Sequence, residues 1–309
     1  MNERPTIYIP DDYPPVMGSS DAFAALKERA DVRYWDSLPG AELVDRIRDA
    51  EIVINIRSSC KFTAEVFAAC PKLKLLSLWG TGTDHVDLEA AARHGVTVTN
   101  TPGVAATAIA EHCLMLMLAV ARKIIEVDAR VRSGEWPRAQ VMQMHGKTLG
   151  VVGLGAIGRK FAALGKAIGM NVITWTMNPK PELGFEHVEL DELYRRSDVV
   201  SLHLRLSDQT KGMFGRPQLS LMKYRSIFIN TARGAIVDEP TLIDALERQR
   251  IAGAGLDVFA MEPLPADSPF FKLKNVVLTP HSAGITPETL EAGLAMSIDN
   301  VWKWLNEQS

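Results

Sequence analysis

The chain has 309 residues, room for about two domains of ordinary size, and 47% of them are hydrophobic, enough for two cores. A formal net charge of −3 with both signs dispersed argues against a nucleic-acid partner or an anionic membrane surface. Cys60, Cys70 and Cys113 stand in no metal-ligand or C-x-x-C spacing, so no metal site and no disulfide framework is expected. The most apolar run, Cys113 to Ala121, is too short to span a bilayer, and the first ten residues lack a signal-peptide pattern. The expectation is a cytoplasmic protein.

In chain order, Thr6–Ile9 reads as a strand, and Asp21–Ala30 as a helix with an N-cap at Ser20 or Asp21. Val32–Trp35 is a second strand. Helix Ala41–Asp49, strand Ile52–Ile56 and helix Thr63–Ala69 follow, and Leu73–Leu78 and Val96–Thr99 complete the strands. This alternation predicts a small parallel sheet covered on both faces. Residues 79–84 read WGTGTD, with two glycines where backbone can approach a ligand. After a loop at Asn100–Gly103, Ala106–Val131 reads as one long helical stretch.

Residues 147–169, KTLGVVGLGAIGRKFAALGKAIG, form the strongest local signal. An apolar strand runs into Gly153, Gly155 and Gly158 in G-x-G-x-x-G spacing, and a helix follows. Gly153 permits the tight turn, Gly155 lets backbone approach a pyrophosphate, and Gly158 allows close helix–strand packing. The N–H groups that open the helix, at Ala156 and Ile157, face the diphosphate. Further βα units run through strands 171–175, Val199–His203, Ser226–Asn230, Ala254–Val258 and Val276–Thr279, with helices near Asp191, Pro217–Met222 and Glu239–Arg248. Pro287–Leu305 is a final amphipathic helix. The predicted fold class is α/β, with two doubly wound parallel-sheet domains, Rossmann-like or flavodoxin-like, and a cleft between them.

Three loops follow consecutive strands of the second sheet, where open α/β sheets bind ligands. Arg233, in Asn230-Thr231-Ala232-Arg233-Gly234, suits a carboxylate clamp or a surface ion pair equally. Glu262 and His281, taken singly, read as an exposed carboxylate and a structural histidine. Together, a histidine held by a carboxylate, an arginine and a nicotinamide describe hydride transfer at an alcohol or ketone carbon.

With these loops the chain resembles the D-isomer-specific 2-hydroxyacid dehydrogenase family. The signatures are WGTGTDHVD (79–87), NTPGVAATAIAEH (100–112), LGVVGLGAIGR (149–159), NTARGAIVDEPTL (230–242), GLDVFAMEPLP (255–265) and TPHSAG (279–284). The resemblance implies a catalytic set of Arg233, Glu262 and His281. Substrate contacts would come from Arg233, His281, Arg57 and the Thr81 and Gly82 amides. It implies a discontinuous substrate domain, 1–99 plus 284–309, around a dinucleotide domain, 100–283, and a homodimer formed near 104–145. Asp257 would lie on the nicotinamide side, with His203, Thr231, Ala232 and Ser282 as further cofactor contacts.

The cofactor choice is less legible. A NAD site places an acid about 20 residues past the glycines, and Thr176 holds that place here. Thr176 and Asn178 can bond either ribose form, while Arg205 and Lys180 either reach a 2′-phosphate or are ordinary surface charges. The cofactor is therefore NAD or NADP, with a lean to NAD. Arg57 and Lys61 favour an acidic or phosphorylated substrate, or Arg57 orients a small 2-keto acid. The alternative to a dehydrogenase is a NAD(H)-sensing binding protein of the same fold that works through partners.

Overall fold

The computed structural model describes residues 4–56, 59–179 and 184–308, and the chain divides into two compact units. The first comprises residues up to Ala105 together with those from Ile285, and the second runs from Ala106 to Gly284.

In the first unit β1 (Thr6–Ile9), β2 (Asp31–Tyr34), β3 (Ile52–Asn55), β4 (Leu75–Leu78) and β5 (Thr97–Thr99) form one parallel sheet in the order β2-β1-β3-β4-β5. The sequence sets the positions. The uninterrupted IVIN and LLSL runs of β3 and β4 are buried throughout, as a strand covered on both faces requires, whereas the polar DVRY of β2 lies at an edge. Helices α1 (Asp21–Arg29), α2 (Leu43–Ile47), α3 (Ala64–Ala69) and α4 (Leu88–Arg93) accompany the C-terminal helix, Pro287–Glu307. Ser20 caps α1 by accepting from Phe23 N, and Asp87 caps α4 by accepting from Ala90 N. Phe62, Phe67 and Leu76 anchor one apolar cluster; Phe23, Leu26, Ile298 and Val301 belong to the other, which seats the C-terminal helix.

In the second unit β6 (Thr148–Val152), β7 (Asn171–Trp175), β8 (Glu186–His187), β9 (Val199–Leu202), β10 (Ile227–Asn230), β11 (Gly253–Leu256) and β12 (Val276–Leu278) are all parallel, in the order β12-β11-β10-β9-β6-β7-β8. The chain goes outward from β6 through β7 to β8, then returns to β9 on the other side of β6. That reversal between β6 and β9 is the switch point at which doubly wound sheets bind ligands. Its helices are α5 (Ala106–Arg122), α6 (Ile124–Arg132), α7 (Ala156–Ala167), α8 (Leu190–Arg196), α9 (Arg216–Leu221) and α10 (Glu239–Glu247). Glycines set how closely α5 can sit. A Cβ on Gly255 would come within 2.7 Å of Leu116 Cβ, and one on Gly253 within 2.9 Å of Val120 Cγ1.

Three elements depart from the sequence reading. The single helix expected over Ala106–Val131 is two, because Lys123 takes a left-handed φ of +50° between them. Neither α4 nor the two-residue β8 was anticipated.

Candidate active site

The glycine turn is built as its spacing requires. Gly153 has φ +101° and donates its N–H to Trp175 O at 2.7 Å, so the turn lies beside the end of β7. A Cβ on Gly158 would collide with the Gly153 carbonyl, which makes glycine obligatory there, while a Cβ on Gly155 would meet nothing. Gly155 is also the N-cap of α7 and supplies no side chain to the helix. The α7 N-terminus thus has no side-chain cap and open space beside Gly155, the arrangement in which a helix N-terminus takes a phosphate.

The three loops at the ends of β10, β11 and β12 are tied to one another through backbone. Asn230, buried, accepts from Ala232 N at 3.0 Å through Oδ1 and donates from Nδ2 to Arg233 O at 3.0 Å, which fixes the arginine loop. Gly234 is packed so closely on the Phe259–Ala260 backbone that a Cβ would collide with it. Only glycine after Arg233 lets the arginine loop and the glutamate loop touch. Arg233 itself is extended, and its Nη1 donates to Ala232 O at 2.7 Å.

Glu262 uses both oxygens. Oε1 accepts from Phe259 N at 2.9 Å, and Oε2 lies 2.7 Å from His281 Nδ1. Partial burial works against its ionisation. The His281 and Phe259 hydrogen bonds and the nearby charges of His281 and Arg233 outweigh burial and hold the carboxyl below its ordinary range. Because Nδ1 faces Glu262, Nε2 is the ring nitrogen left for a ligand. His281 itself has φ +52°, a left-handed conformation that costs a residue with a side chain about 1–3 kcal/mol.

Asp257 holds that conformation. Its main-chain oxygen accepts from His281 N at 2.8 Å, Oδ1 accepts from Ser282 N at 2.9 Å, and Oδ2 accepts from Ala283 N at 3.0 Å. At 1% exposure the Asp257 carboxylate is spent on protein groups, so in this structure it works as a loop anchor. His203 is likewise turned inward. Its ring lies tilted against Phe161 at 5.6 Å, its Nε2 lies 2.9 Å from Ser201 Oγ, and burial lowers its pKa to about 3. Of its groups the main-chain carbonyl is the one beside Gly153. Thr231 is buried with Oγ1 3.1 Å from Cys113 Sγ. Thr176 follows β7 half-buried next to the glycine turn, and Asn178 and Arg205 are exposed. Arg57 and Lys180 lie outside the described residues.

In the first unit the 79–84 turn is held by the 100–103 loop. Gly80 N donates to Thr101 Oγ1 at 2.6 Å, Thr101 N to Gly80 O at 3.0 Å, and Asn100 Nδ2 to Thr81 O at 2.9 Å. The N–H groups of Thr81 and Gly82 stay outside this set of bonds.

Residues 114–283 match the family described as D-isomer specific 2-hydroxyacid dehydrogenase, NAD binding domain. The chain is 36% identical to a glyoxylate reductase of Korarchaeum cryptofilum, over 96% of this chain and 92% of that protein. It belongs to the D-isomer-specific 2-hydroxyacid dehydrogenase family. Among solved structures it is similar to an acyclic imino acid reductase in complex with NADPH and D-Arg (TM-score 0.89, 31% identity, covering 98% of this chain and 97% of the other). It also matches a D-lactate dehydrogenase from Aquifex aeolicus complexed with NAD and lactic acid (TM-score 0.87, 28% identity, covering 98% and 97%). The chain is thus an oxidoreductase that transfers hydride between NAD or NADP and a D-2-hydroxy acid/2-keto acid pair. The open Gly155 and uncapped α7 terminus fit such a dinucleotide.

Two residues that bond to these loops are not singled out by the sequence reading. Glu239, at the start of α10, accepts from Ala260 N and so grips the glutamate loop; burial and the neighbouring Glu262 raise its pKa. His112 on α5 has its Nε2 3.0 Å from Thr279 Oγ1. Both sit inside motifs quoted above, but nothing in their spacing separates them from a capping acid and a core histidine. Among the described residues no helix is long and apolar enough to cross a membrane, and no cluster could hold a metal.

Proposed function

We propose that this chain reduces a small 2-keto acid of the glyoxylate type to its 2-hydroxy acid, with Arg233, Glu262 and His281 as its catalytic residues. The observation that carries the reading is the 2.7 Å pair of His281 Nδ1 and Glu262 Oε2 on a loop that also lies against the arginine loop. A bound nicotinamide supplies hydride to the carbonyl carbon. His281, its Nδ1 bonded to Glu262, donates the Nε2 proton to the carbonyl oxygen and takes it back in oxidation. Arg233 binds the substrate carboxylate and polarises the keto oxygen. The Thr81 and Gly82 amides are the second carboxylate anchor. The Korarchaeum relative, similar over nearly its whole length, is named for reducing glyoxylate, which supports a small substrate over a phosphorylated one.

The working form is a cytoplasmic homodimer. On and after α5 a run of large apolar side chains is exposed, including Met115, Leu118, Ile124, Ile125 at 61% and Trp136 at 81%, and such a patch suits a second copy. Absorbance loss of NADH and NADPH with a panel of 2-keto acids tests the activity. Turnover is expected with glyoxylate or a close homologue; a clear preference for a phosphorylated acid would refute the substrate assignment.

A further inference from the structure

We propose that His112 is a positioning residue for the proton donor, acting through Thr279 and Asp257 on the backbone of His281. The idea rests on His281 being that donor.

The direction of each bond fixes the chain of contacts. Thr279 Oγ1 lies 2.6 Å from Asp257 Oδ1, and a carboxylate can only accept, so the threonine hydroxyl donates to it. Its hydrogen spent, Thr279 Oγ1 must accept from His112 Nε2 at 3.0 Å, which sets His112 in the Nε2–H tautomer. His112 also lies 3.7 Å from Asp257 Oδ1, a spacing that by itself suggests an ion pair. Burial prevails over that charge and lowers the His112 pKa, so the ring serves as a neutral donor.

The recipient of this chain is a buried anion with a demanding task. Asp257 accepts from Thr279 and from the amides of Ser282 and Ala283, and its carbonyl accepts from His281 N. Three successive amides, 281 to 283, are thus held by one residue. They are the amides that must stay in place if His281 is to keep its left-handed backbone. Without His112, Thr279 has no fixed donor and its hydroxyl can rotate away from Asp257. The carboxylate then loses one of three side-chain bonds where water is scarce, and the loop loosens. Proton transfer needs an oxygen-to-nitrogen approach accurate to a fraction of an ångström, so a looser loop lowers turnover more than binding. Helix α5 is well placed for this role. It packs on β10, β11 and β12, and Cys113, next in sequence, bonds Thr231 on the neighbouring loop.

The test compares His112→Leu, His112→Gln and Thr279→Val. Glutamine can present an N–H near the position of Nε2; leucine cannot. In the ligand-free protein, hydrogen exchange across residues 279–284 should speed up about tenfold or more in His112→Leu and Thr279→Val and stay near wild type in His112→Gln. In the steady state, the first two variants should lose about tenfold or more in kcat, with KM and NADH Kd within about threefold, and the glutamine variant should recover most of that loss. Combining His112→Leu with Thr279→Val should cost little more than either alone. A kcat in His112→Leu above half of wild type, a glutamine variant as impaired as the leucine one, or lost turnover with unchanged exchange would each overturn the proposal. Should the wild-type protein reduce no 2-keto acid, the failure lies with the proposed function, and the exchange result still decides whether His112 holds the loop.

Discussion

His281 Nδ1 lies 2.7 Å from Glu262 Oε2, and the other glutamate oxygen is fixed by Phe259 N at 2.9 Å. The ring is therefore oriented before any ligand arrives, with Nε2 as its outward nitrogen. His281→Ala removes the proposed proton donor, and a fall of about 100- to 10,000-fold in kcat is expected, the range typical of a general acid. Arg233→Ala should lose turnover heavily and raise KM as well, because in the proposed role it binds the carboxylate before and during reaction. Titration with NADH should give a near-normal Kd in both variants. Near-normal turnover in either one would remove it from the catalytic set.

The two glutamates near the site push stability in opposite directions with pH. Despite burial, Glu262 has its pKa lowered by His281, Phe259 N and Arg233, so its ionisation stabilises the fold above the ordinary glutamate value of 4.5. That contribution disappears as pH falls through the lowered folded value. Burial raises the Glu239 pKa, and repulsion from Glu262 adds to this, so its charge destabilises the fold at neutral pH and ceases to do so in acid. Melting curves from pH 4 to 8 check both signs. Relative to wild type, Glu262→Gln should lose more stability at pH 7 than at pH 4, and Glu239→Gln, which keeps an acceptor for Ala260 N, should compare better at pH 7 than at pH 4. A reversed trend in either would contradict the assigned cause.

Gly155 and Gly158 separate folding from cofactor binding. A Cβ on Gly158 collides with the Gly153 carbonyl, main-chain atoms that cannot move without moving β6, whereas a Cβ on Gly155 meets open space. Gly158→Ala should lose about 1–3 kcal/mol or more, a drop in Tm of several degrees for a domain of this size. Gly155→Ala should melt within about 2 °C of wild type yet bind NADH at least about tenfold more weakly, because the added methyl group occupies the path of the pyrophosphate. Equal NADH affinity in Gly155→Ala and wild type would mean that the dinucleotide does not run over this turn.

The legible part of the molecule is the part in which local chemistry decides the structure. Apolar runs such as IVIN and LLSL are short and bounded, as covered strands are, and the three glycines stood at the spacing their turn requires. The break at Lys123 left no such mark, since a lysine is neither glycine nor proline and its left-handed φ has no residue-type signal. Helix α4 was missed although Asp87 is an ordinary N-cap, because its LEAAAR has only one large apolar residue and so no period to read. That Arg233, Glu262 and His281 stand on loops after consecutive strands could be read from the sequence, because each loop directly follows an apolar run. The groups behind them could not be, since the bond of His112 to Thr279 spans 167 positions and no local pattern encodes it.

Thr176 determines the last prediction. It directly follows Trp175, whose carbonyl accepts from Gly153 N, so it holds the position beside the glycine turn at which an acid is expected to meet the ribose. A threonine hydroxyl can bond the 2′-OH of NAD and does not repel the 2′-phosphate of NADP, in line with similar structures that hold one cofactor or the other. Thr176→Asp restores the repulsion and adds a charged acceptor for the 2′-OH. With NADPH, kcat/KM should fall at least about tenfold, and with NADH it should hold or rise, the size expected for placing a like charge against a phosphate at close range. Since Thr176 is half-buried at a strand end rather than in a core, Tm should change little. If NADPH and NADH respond to the substitution equally, the adenosine ribose is bound somewhere other than the end of β7.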